Sequence, residues 1–147
     1  GKIVEILEEK DPFFDETFIR ISIFLNIFNV HVNRAPIEGL VVKYGYIPGK
    51  FLAAFSHKAS LNNEQTVILF KNDNTKVIVK QIAGLIARRI ICYAREGDCF
   101  ELGQRFGLIR FGSRVDIFVP TDLKLNVDVG DKVAGGSSII GFLPKSK

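Results

Sequence analysis

The chain has 147 residues, of which 47% are hydrophobic, enough for one domain with its own core. The net charge of +4 comes without a run of Lys or Arg, so nucleic acid is not an expected partner, whereas a mildly basic surface would suit anionic lipid headgroups. No stretch approaches the ~18 apolar residues of a membrane span, and no signal peptide is recognisable. Because the chain lacks Met and opens on Gly1, we expect a fragment without its N-terminal segment.

Strand signals dominate the chain from its first residues. Alternating polarity and β-branched or aromatic residues predict strands in KIVEILEE, FIRISIFLN, TVILF, KVIVKQI, RIICYA, RFGLIRF, VDIFVP, LNVDV and IIGFL. GLVVKYGYIPGKF is also apolar, but Gly45 and a turn at Pro48-Gly49 break it. KNDNT, between two of these strands, is typical of a hairpin loop. KQIAGLIARRIICYA also fits helical spacing, but Gly84 favours strand, turn, strand. Short helical turns are predicted near NIFNVHVN and AAFSHKAS.

A short sequence pattern occurs twice in the chain, and this echo indicates repeated β corners. GDCFELG and GDKVAGG, which begin at Gly97 and Gly130, share the pattern Gly-Asp-x-apolar-x-x-Gly. VGDKVAGGSSIIG resembles the closing hairpin of lipoyl-type domains. We therefore predict a mainly β fold, a barrel-sandwich hybrid or lipoyl-like β-sandwich with short helical turns. Ser137 and Ser138 would lie on a hairpin corner, where small polar residues need no chemical explanation.

A Gly-Ser pair, Gly112-Ser113, interrupts the predicted strand in RFGLIRFGSRVDIFVP. A serine is a poor nucleophile unless a base takes its proton, and the chain has only two histidines, His31 and His57. His31 follows an apolar strand that could hold it rigidly, whereas His57 lies in a polar stretch, so His31 is the better candidate base. From these residues alone, a structural histidine and a simple strand bulge remain open.

The two cysteines do not form a recognisable motif. Cys92 and Cys99 are spaced like neither a zinc knuckle nor a C-x-x-C redox pair. We predict two buried free thiols in a reducing compartment and no metal site.

Several segments resemble the short bacterial and archaeal form of phosphatidylserine decarboxylase, and together they cover nearly the whole chain. They are FIRISIFLNIFNVHVNRAPIEG, PGKF, QIAGLIARRIICY, EGDCFELGQRFGLIRFGSRVDIFVP and VGDKVAGG. The most specific is GQRFGLIRFGSRVD, which is similar to the G-x-F-x-x-G-S signature of that family. The resemblance implies a pyruvoyl-dependent carboxy-lyase that converts phosphatidylserine to phosphatidylethanolamine.

The resemblance also implies a proenzyme that cuts itself. The Ser113 hydroxyl would attack the carbonyl of Gly112, where glycine leaves the carbonyl uncrowded. A β chain of residues 1–112 and an α chain of residues 113–147 would result. The new N-terminus would carry a pyruvoyl group made from Ser113, which acts as an electron sink without any external cofactor.

The resemblance assigns His31 to the activation of Ser113. Longer members of the family carry a second histidine where this chain has Arg34, which could bind the substrate carboxylate or phosphate but cannot move protons near pH 7. The family orients its histidine with an Asp that would lie just before Gly1. Without that carboxylate we expect this polypeptide to stay largely uncut.

Further arginines lie around the motif, and either a solvated face or binding of the lipid phosphate would explain them. They are Arg88, Arg89, Arg105, Arg110 and Arg114. Phe51 could line the substrate pocket or simply pack in the core. The implied partners are phosphatidylserine or archaetidylserine, an anionic membrane on the cytoplasmic side of the cell, and a second copy in a homodimer.

Two other classes of protein are alternatives to the decarboxylase. A lipoyl- or biotinyl-type carrier would modify a hairpin lysine, for which Lys132 is the candidate, although the usual Met-Lys setting is absent. A β-sandwich that only binds anionic membranes would need no reactive serine.

Overall fold

The computed structural model describes residues 1–11, 13–25, 31–48, 63–84, 90–109, 113–134 and 138–144. Within these ranges the chain forms β-strands and no helix, which confirms the prediction of a mainly β fold. The strands are β1 (Lys2–Lys10), β2 (Thr17–Phe24), β3 (His31–Arg34), β4 (Gly39–Ile47), β5 (Gln65–Lys71), β6 (Lys76–Ile82), β7 (Ile90–Cys92), β8 (Cys99–Phe100), β9 (Arg105–Ile109), β10 (Arg114–Val119), β11 (Lys124–Leu125) and β12 (Gly141–Phe142).

The strands assemble into a large sheet, a small sheet and a short ribbon. The large sheet has seven strands in the order β1-β2-β10-β6-β5-β4-β8, the small sheet has the order β3-β9-β7, and β11 pairs with β12. Every strand pair is antiparallel. Strand β10 therefore lies inside the large sheet, with β2 on one side and β6 on the other.

The large sheet buries side chains on both of its faces. Val115 and Val119 of β10 belong to the main core, which also contains Phe106 and Ile109 of the small sheet. We call this side, which packs against the small sheet, the front face. Phe118 belongs instead to a second cluster on the opposite, rear face. Since successive residues of a strand point to opposite faces, the alternation along β10 assigns its side chains to the two faces.

A β-bulge in β9 adds a contact between the small sheet and the front face. Asn33 pairs with Gly107 and Arg34 with Arg105, so Phe106 is the extra residue of β9. The Phe106 ring packs edge-on against Phe70 of the large sheet, with ring centroids 5.4 Å apart. The bulge thus turns an additional aromatic side chain into the core.

The two Gly-Asp pairs form the same backbone contact, as their echo predicts. The Gly97 amide donates to the carbonyl of Val41, and the Val41 amide donates to the carbonyl of the next residue, Asp98. Gly130 and the aspartate after it bond in the same way to Ile3. Both glycines have positive φ angles, 93° and 98°, which favour glycine at these corners.

Some predicted boundaries differ from the structure. Of LNVDV only Leu125 is in a strand, and the Asn126 amide bonds to the Ile140 carbonyl. The helical turn predicted near NIFNVHVN is wrong over residues 31–33, which belong to strand β3 and pair with β9. The remainder of that segment and AAFSHKAS lie outside the described residues. The KNDNT hairpin loop is confirmed, with the Asn72 carboxamide oxygen accepting from the Asn74 and Thr75 amides.

Candidate active site

Ser113 lies immediately before strand β10 and is fully buried. Its carbonyl accepts a hydrogen bond of 2.8 Å from the Leu25 amide, which extends the ladder beyond the Arg114–Phe24 pair. The backbone on the C-terminal side of the predicted cleavage point is therefore held by the interior of a seven-stranded sheet. A nucleophile at this position has a fixed main chain and no exposure to water.

His31 is the first residue of β3, and its position relative to Ser113 follows from the strand pairing. It pairs with Ile109, the last residue of β9. Three residues separate Ile109 from Ser113, so these two Cα atoms lie within about 14 Å even for an extended chain. The topology therefore brings the backbone of His31 to the end of the small sheet that leads into Ser113.

A buried hydrogen-bonded group, which we call the intersheet link, joins the two sheets beside this site. The Gln81 Nε2 group donates to Asn33 Oδ1 at 2.7 Å and to the Ile91 carbonyl at 3.3 Å. The Gln81 Oε1 atom accepts from the Thr66 hydroxyl at 2.6 Å. Gln81, Thr66 and Asn33 are 0%, 2% and 7% exposed, so these bonds form away from solvent.

Gly107 leaves room for this link. A Cβ atom at Gly107 would clash with the Ile91 carbonyl oxygen and would lie 2.7 Å from Gln81 Nε2. Gly107 is the glycine of the signature segment that precedes the predicted cleavage point. Its small size is therefore required both by the neighbouring strand β7 and by Gln81 of the large sheet.

The rear face behind Ser113 carries a rear charge network, formed by Arg20, Arg114, Lys80, Glu5, Glu9 and Asp116. The Arg114 Nε atom lies 3.0 Å from Asp116 Oδ1, and both side chains are almost completely buried. Arg20 bonds to Glu5 and lies 4.0 Å from Asp116. Burial lowers the pKa of Arg114, and the attraction of Asp116 opposes that shift.

The predicted substrate-binding residues fall in different places. Arg34 is exposed, and its Nη1 group donates to the Gly103 carbonyl at 2.9 Å. Arg114 is only 2% exposed and is paired with Asp116. Its contact with the substrate stays a prediction. Other predicted residues lie outside the described part of the chain: Phe51, His57, Arg88, Arg89, Arg110, Gly112 and Ser137.

Gln81 and Asn33 were not singled out from the sequence, although a signal was present. In KVIVKQI the inward positions of the front face are Val77, Val79 and then Gln81, so a polar residue stands where the alternation expects an apolar one. A buried polar side chain in such a position requires partners, which Asn33 and Thr66 provide.

The prediction of two buried thiols is wrong, since Cys99 is exposed and Cys92 is only half-buried. Cys99 is exposed because β8, which contains it, is an edge strand with only two residues. Cys92 is half-buried, with its Sγ atom 3.8 Å from the Ala94 carbonyl, and burial raises the pKa of this thiol. Both cysteines are free.

The described residues contain neither a metal-binding cluster nor a membrane-spanning helix. No group of three or more His, Cys, Asp or Glu side chains is placed to hold a metal ion among those residues. The same residues include no helix with the length and apolar character needed to cross a membrane.

Comparison with known proteins gives a consistent assignment. Residues 2–141 match the phosphatidylserine decarboxylase family model. Three similar proteins, each named phosphatidylserine decarboxylase proenzyme, come from Geotalea uraniireducens (46% identical over 98% of this chain and 68% of the relative), Magnetococcus marinus (50%, 97% and 66%) and Desulfotalea psychrophila (50%, 96% and 67%). The chain thus spans about two-thirds of their length, and no solved structure matches it. This chain belongs to the phosphatidylserine decarboxylase family.

Proposed function

We propose that this chain is the decarboxylase part of a proenzyme that cuts itself between Gly112 and Ser113 and then converts phosphatidylserine to phosphatidylethanolamine. The observation that carries the proposal is the placement of Ser113, buried at the start of β10 with its carbonyl bonded to Leu25. The family match over residues 2–141 supports the activity. Residues 1–112 and 113–147 would then be the β and α chains of one domain.

The cleavage step uses only groups of the chain and one water molecule. The Ser113 Oγ atom attacks the Gly112 carbonyl carbon, an ester forms, and the peptide C–N bond breaks as the hydroxyl proton passes to the freed Ser113 nitrogen. Loss of the Ser113 α-proton then breaks the ester C–O bond, and Gly112 leaves as a carboxylate. Hydration of the remaining enamine releases ammonia and leaves a pyruvoyl group. We propose His31 as the base for the first step.

The fold suits this reaction because the new chain end stays in place. Strand β10 pairs with β2 over six residues and with β6 over five, so residues after the cut remain held on both sides. The Leu25 amide still holds the carbonyl of residue 113. The pyruvoyl group supplies an electron sink for the decarboxylation. The buried position keeps that group close to its parent strand and shielded from bulk water.

The substrate carries a carboxylate and a phosphate, and exposed arginines are the expected ligands for both. Arg34 is a described candidate that meets this requirement, since it is exposed at the end of β3. Arg110 and Phe51 are proposed as further contacts from the family resemblance, as is Arg114.

We also propose a finer description of the fold and the setting. Two packed antiparallel sheets and two equivalent Gly-Asp corners support a barrel-sandwich hybrid, related to the lipoyl-like β-sandwich. The net charge of +4 supports docking on an anionic membrane from the cytoplasmic side. A homodimer and the use of either ester-linked phosphatidylserine or ether-linked archaetidylserine complete the proposal.

The test compares the complete natural protein with its Ser113→Ala variant. We expect mass spectrometry of the wild type to show a C-terminal fragment that begins at residue 113 with a pyruvoyl group, and we expect CO₂ release from phosphatidylserine vesicles. Ser113→Ala should stay a single chain and release no CO₂. Ser138→Ala, which alters an exposed serine bonded to the Ala134 amide, is the matched control and should behave like the wild type. An uncut wild-type chain that still releases CO₂ would disprove the mechanism.

A further inference from the structure

We infer that Gln81 is a positioning residue for the self-cleavage step, because its carboxamide holds strand β3, which begins with His31, against the strands that hold Ser113. The inference rests on the proposed function, in which His31 assists Ser113. It concerns the intersheet link of Thr66, Gln81 and Asn33 and assigns that link a role in the reaction.

The strand register places Gln81 next to the reacting segment. Gln81 and Val115 are Cα partners in the β6–β10 pair, so Gln81 lies one pair beyond the first residue of β10. Asn33, which accepts from Gln81 at 2.7 Å, is two residues from His31 in β3. Gln81 therefore lies on the strand next to that of the nucleophile, and its side chain bonds to the strand of the proposed base.

The carboxamide of Gln81 has its polar atoms engaged in different strands. Its Nε2 group donates to Asn33 in β3 and to the Ile91 carbonyl in β7, and its Oε1 atom accepts from Thr66 in β5. These strands belong to both sheets, so the link restrains the separation of the sheets and also their relative shift along the strands. An apolar pair could restrain the separation but would permit sliding, since hydrophobic contacts are not directional.

The burial of the link indicates that it fixes the relative position of the two sheets in addition to stabilising the fold. Gln81 is fully buried, and a buried amide needs hydrogen-bond partners because a buried donor or acceptor without one destabilises the fold. Val77 and Val79 fill the preceding inward positions of the same strand with apolar side chains. Gly107, which pairs with Asn33, also lacks the Cβ atom that would displace the Gln81 amide.

Loss of the link should therefore slow cleavage more than it weakens the fold. Reacting groups must be placed within about 1 Å, and an error of that size can cost roughly 100-fold in rate. We expect Gln81→Leu and Asn33→Leu to slow cleavage 10- to 100-fold in the complete natural protein. Cleavage is followed after cell-free synthesis, as the fraction of cut chain on a denaturing gel against time.

Two matched variants separate positioning from general destabilisation. Thr66→Val removes a buried hydrogen bond of the same link but leaves both bonds from Gln81 to the small sheet, so we expect less than a threefold change in rate. Asn33→Asp keeps an acceptor oxygen for the Gln81 amide and should cleave much faster than Asn33→Leu. Equal slowing by Gln81→Leu and Thr66→Val would overturn the inference, as would equal rates for the two Asn33 variants.

A double-mutant comparison tests whether Gln81 acts through His31. In a His31→Ala background, Gln81→Leu should change the residual cleavage rate by less than twofold, since the group that it positions is absent. If Gln81→Leu slows both backgrounds by the same factor, the positioning role is wrong. A wild-type protein that fails to cut at residue 113, or a His31→Ala variant that cuts at the wild-type rate, would instead count against the proposed function.

Discussion

The front and rear faces of strand β10 carry different kinds of polar group. The intersheet link on the front face consists of neutral side chains, Gln81, Thr66 and Asn33, joined by hydrogen bonds. The rear charge network contains three cations and three anions, including the buried Arg114–Asp116 pair. Because Ser113 directly precedes Arg114 and its carbonyl continues the β10–β2 ladder, extended geometry sends their side chains to opposite faces.

Under the proposed mechanism, this difference places a reactive and a structural side chain at adjacent positions of the chain. The charges hold β10 between its neighbours without adding a fixed charge to the front face, where the proposed mechanism requires the Ser113 hydroxyl to lose its proton. They also fix the register, because a slip of one residue would move Arg114 and Asp116 into the apolar front core. The comparison predicts that rear substitutions change stability first and that front substitutions change cleavage first.

The largest expected effect is on the rear face. Asp116→Leu leaves Arg114 buried without its carboxylate, and breaking a buried ion pair typically costs about 3–5 kcal/mol. The free energy of unfolding can be measured by urea denaturation in the Ser113→Ala variant, which we expect to remain one chain. Adding Arg114→Met to Asp116→Leu should recover much of the loss, because both charges are then replaced by apolar side chains. If the double variant is less stable than Asp116→Leu, Arg114 stabilises the fold through other members of the rear charge network and not only through Asp116.

The next effect concerns the front face, where space is limiting. Gly107→Ala places a methyl group against the Ile91 carbonyl and the Gln81 amide. We expect a loss of about 1–3 kcal/mol from overpacking, together with slower cleavage as the intersheet link is displaced. Gly45→Ala is the matched control, since a Cβ atom there meets nothing within 4 Å, and it should be nearly neutral in both measurements. If Gly107→Ala cleaves at the wild-type rate, Gly107 is not needed to keep the intersheet link in place.

The sequence predicts the strands better than it predicts which polar residues meet. Alternation along KVIVKQI and VDIFVP identifies β6 and β10, because period-2 burial is a local property of the chain. The Gly-Asp echo also identifies two equivalent corners. The contact of Gln81 with Asn33 joins residues 48 positions apart, and it depends on the packing of two sheets. Arg114 shows the same limit, since the motif alone does not indicate its rear-face position beside Asp116.

A smaller effect is expected in the reactivity of the two thiols. Cys92 packs against the front core and burial raises the pKa of its thiol, so less of the reactive thiolate is present near neutral pH. Cys99 is exposed on the edge strand. We expect iodoacetamide to label Cys99 at least about tenfold faster than Cys92 at pH 7.5, as measured by peptide mass spectrometry. Equal labelling in the native protein would show that the front core opens readily near β7.

The smallest effect distinguishes members of the rear charge network from one another. Lys80 pairs with Asp116 across β6 and β10, and its ammonium lies 5.3 Å from the centre of the Phe118 ring. Burial lowers the pKa of Lys80 from its ordinary value of 10.5, although Asp116 and Glu9 oppose the shift, and the cations of Arg20 and Arg114 add to it.

The sign of the resulting pH dependence follows from proton binding. Between the lowered pKa of Lys80 and 10.5, the unfolded chain binds more protons than the folded chain, so stability rises with pH in that window. Lys80→Met removes this contribution and leaves the other titrating groups in place. We therefore expect the stability of the Ser113→Ala chain, relative to the same chain with Lys80→Met, to increase as the pH is raised from 8 toward about 10.5. Parallel stability curves for the two proteins would show that Lys80 reaches solvent in solution, and the rear network would then consist of the arginines and carboxylates alone.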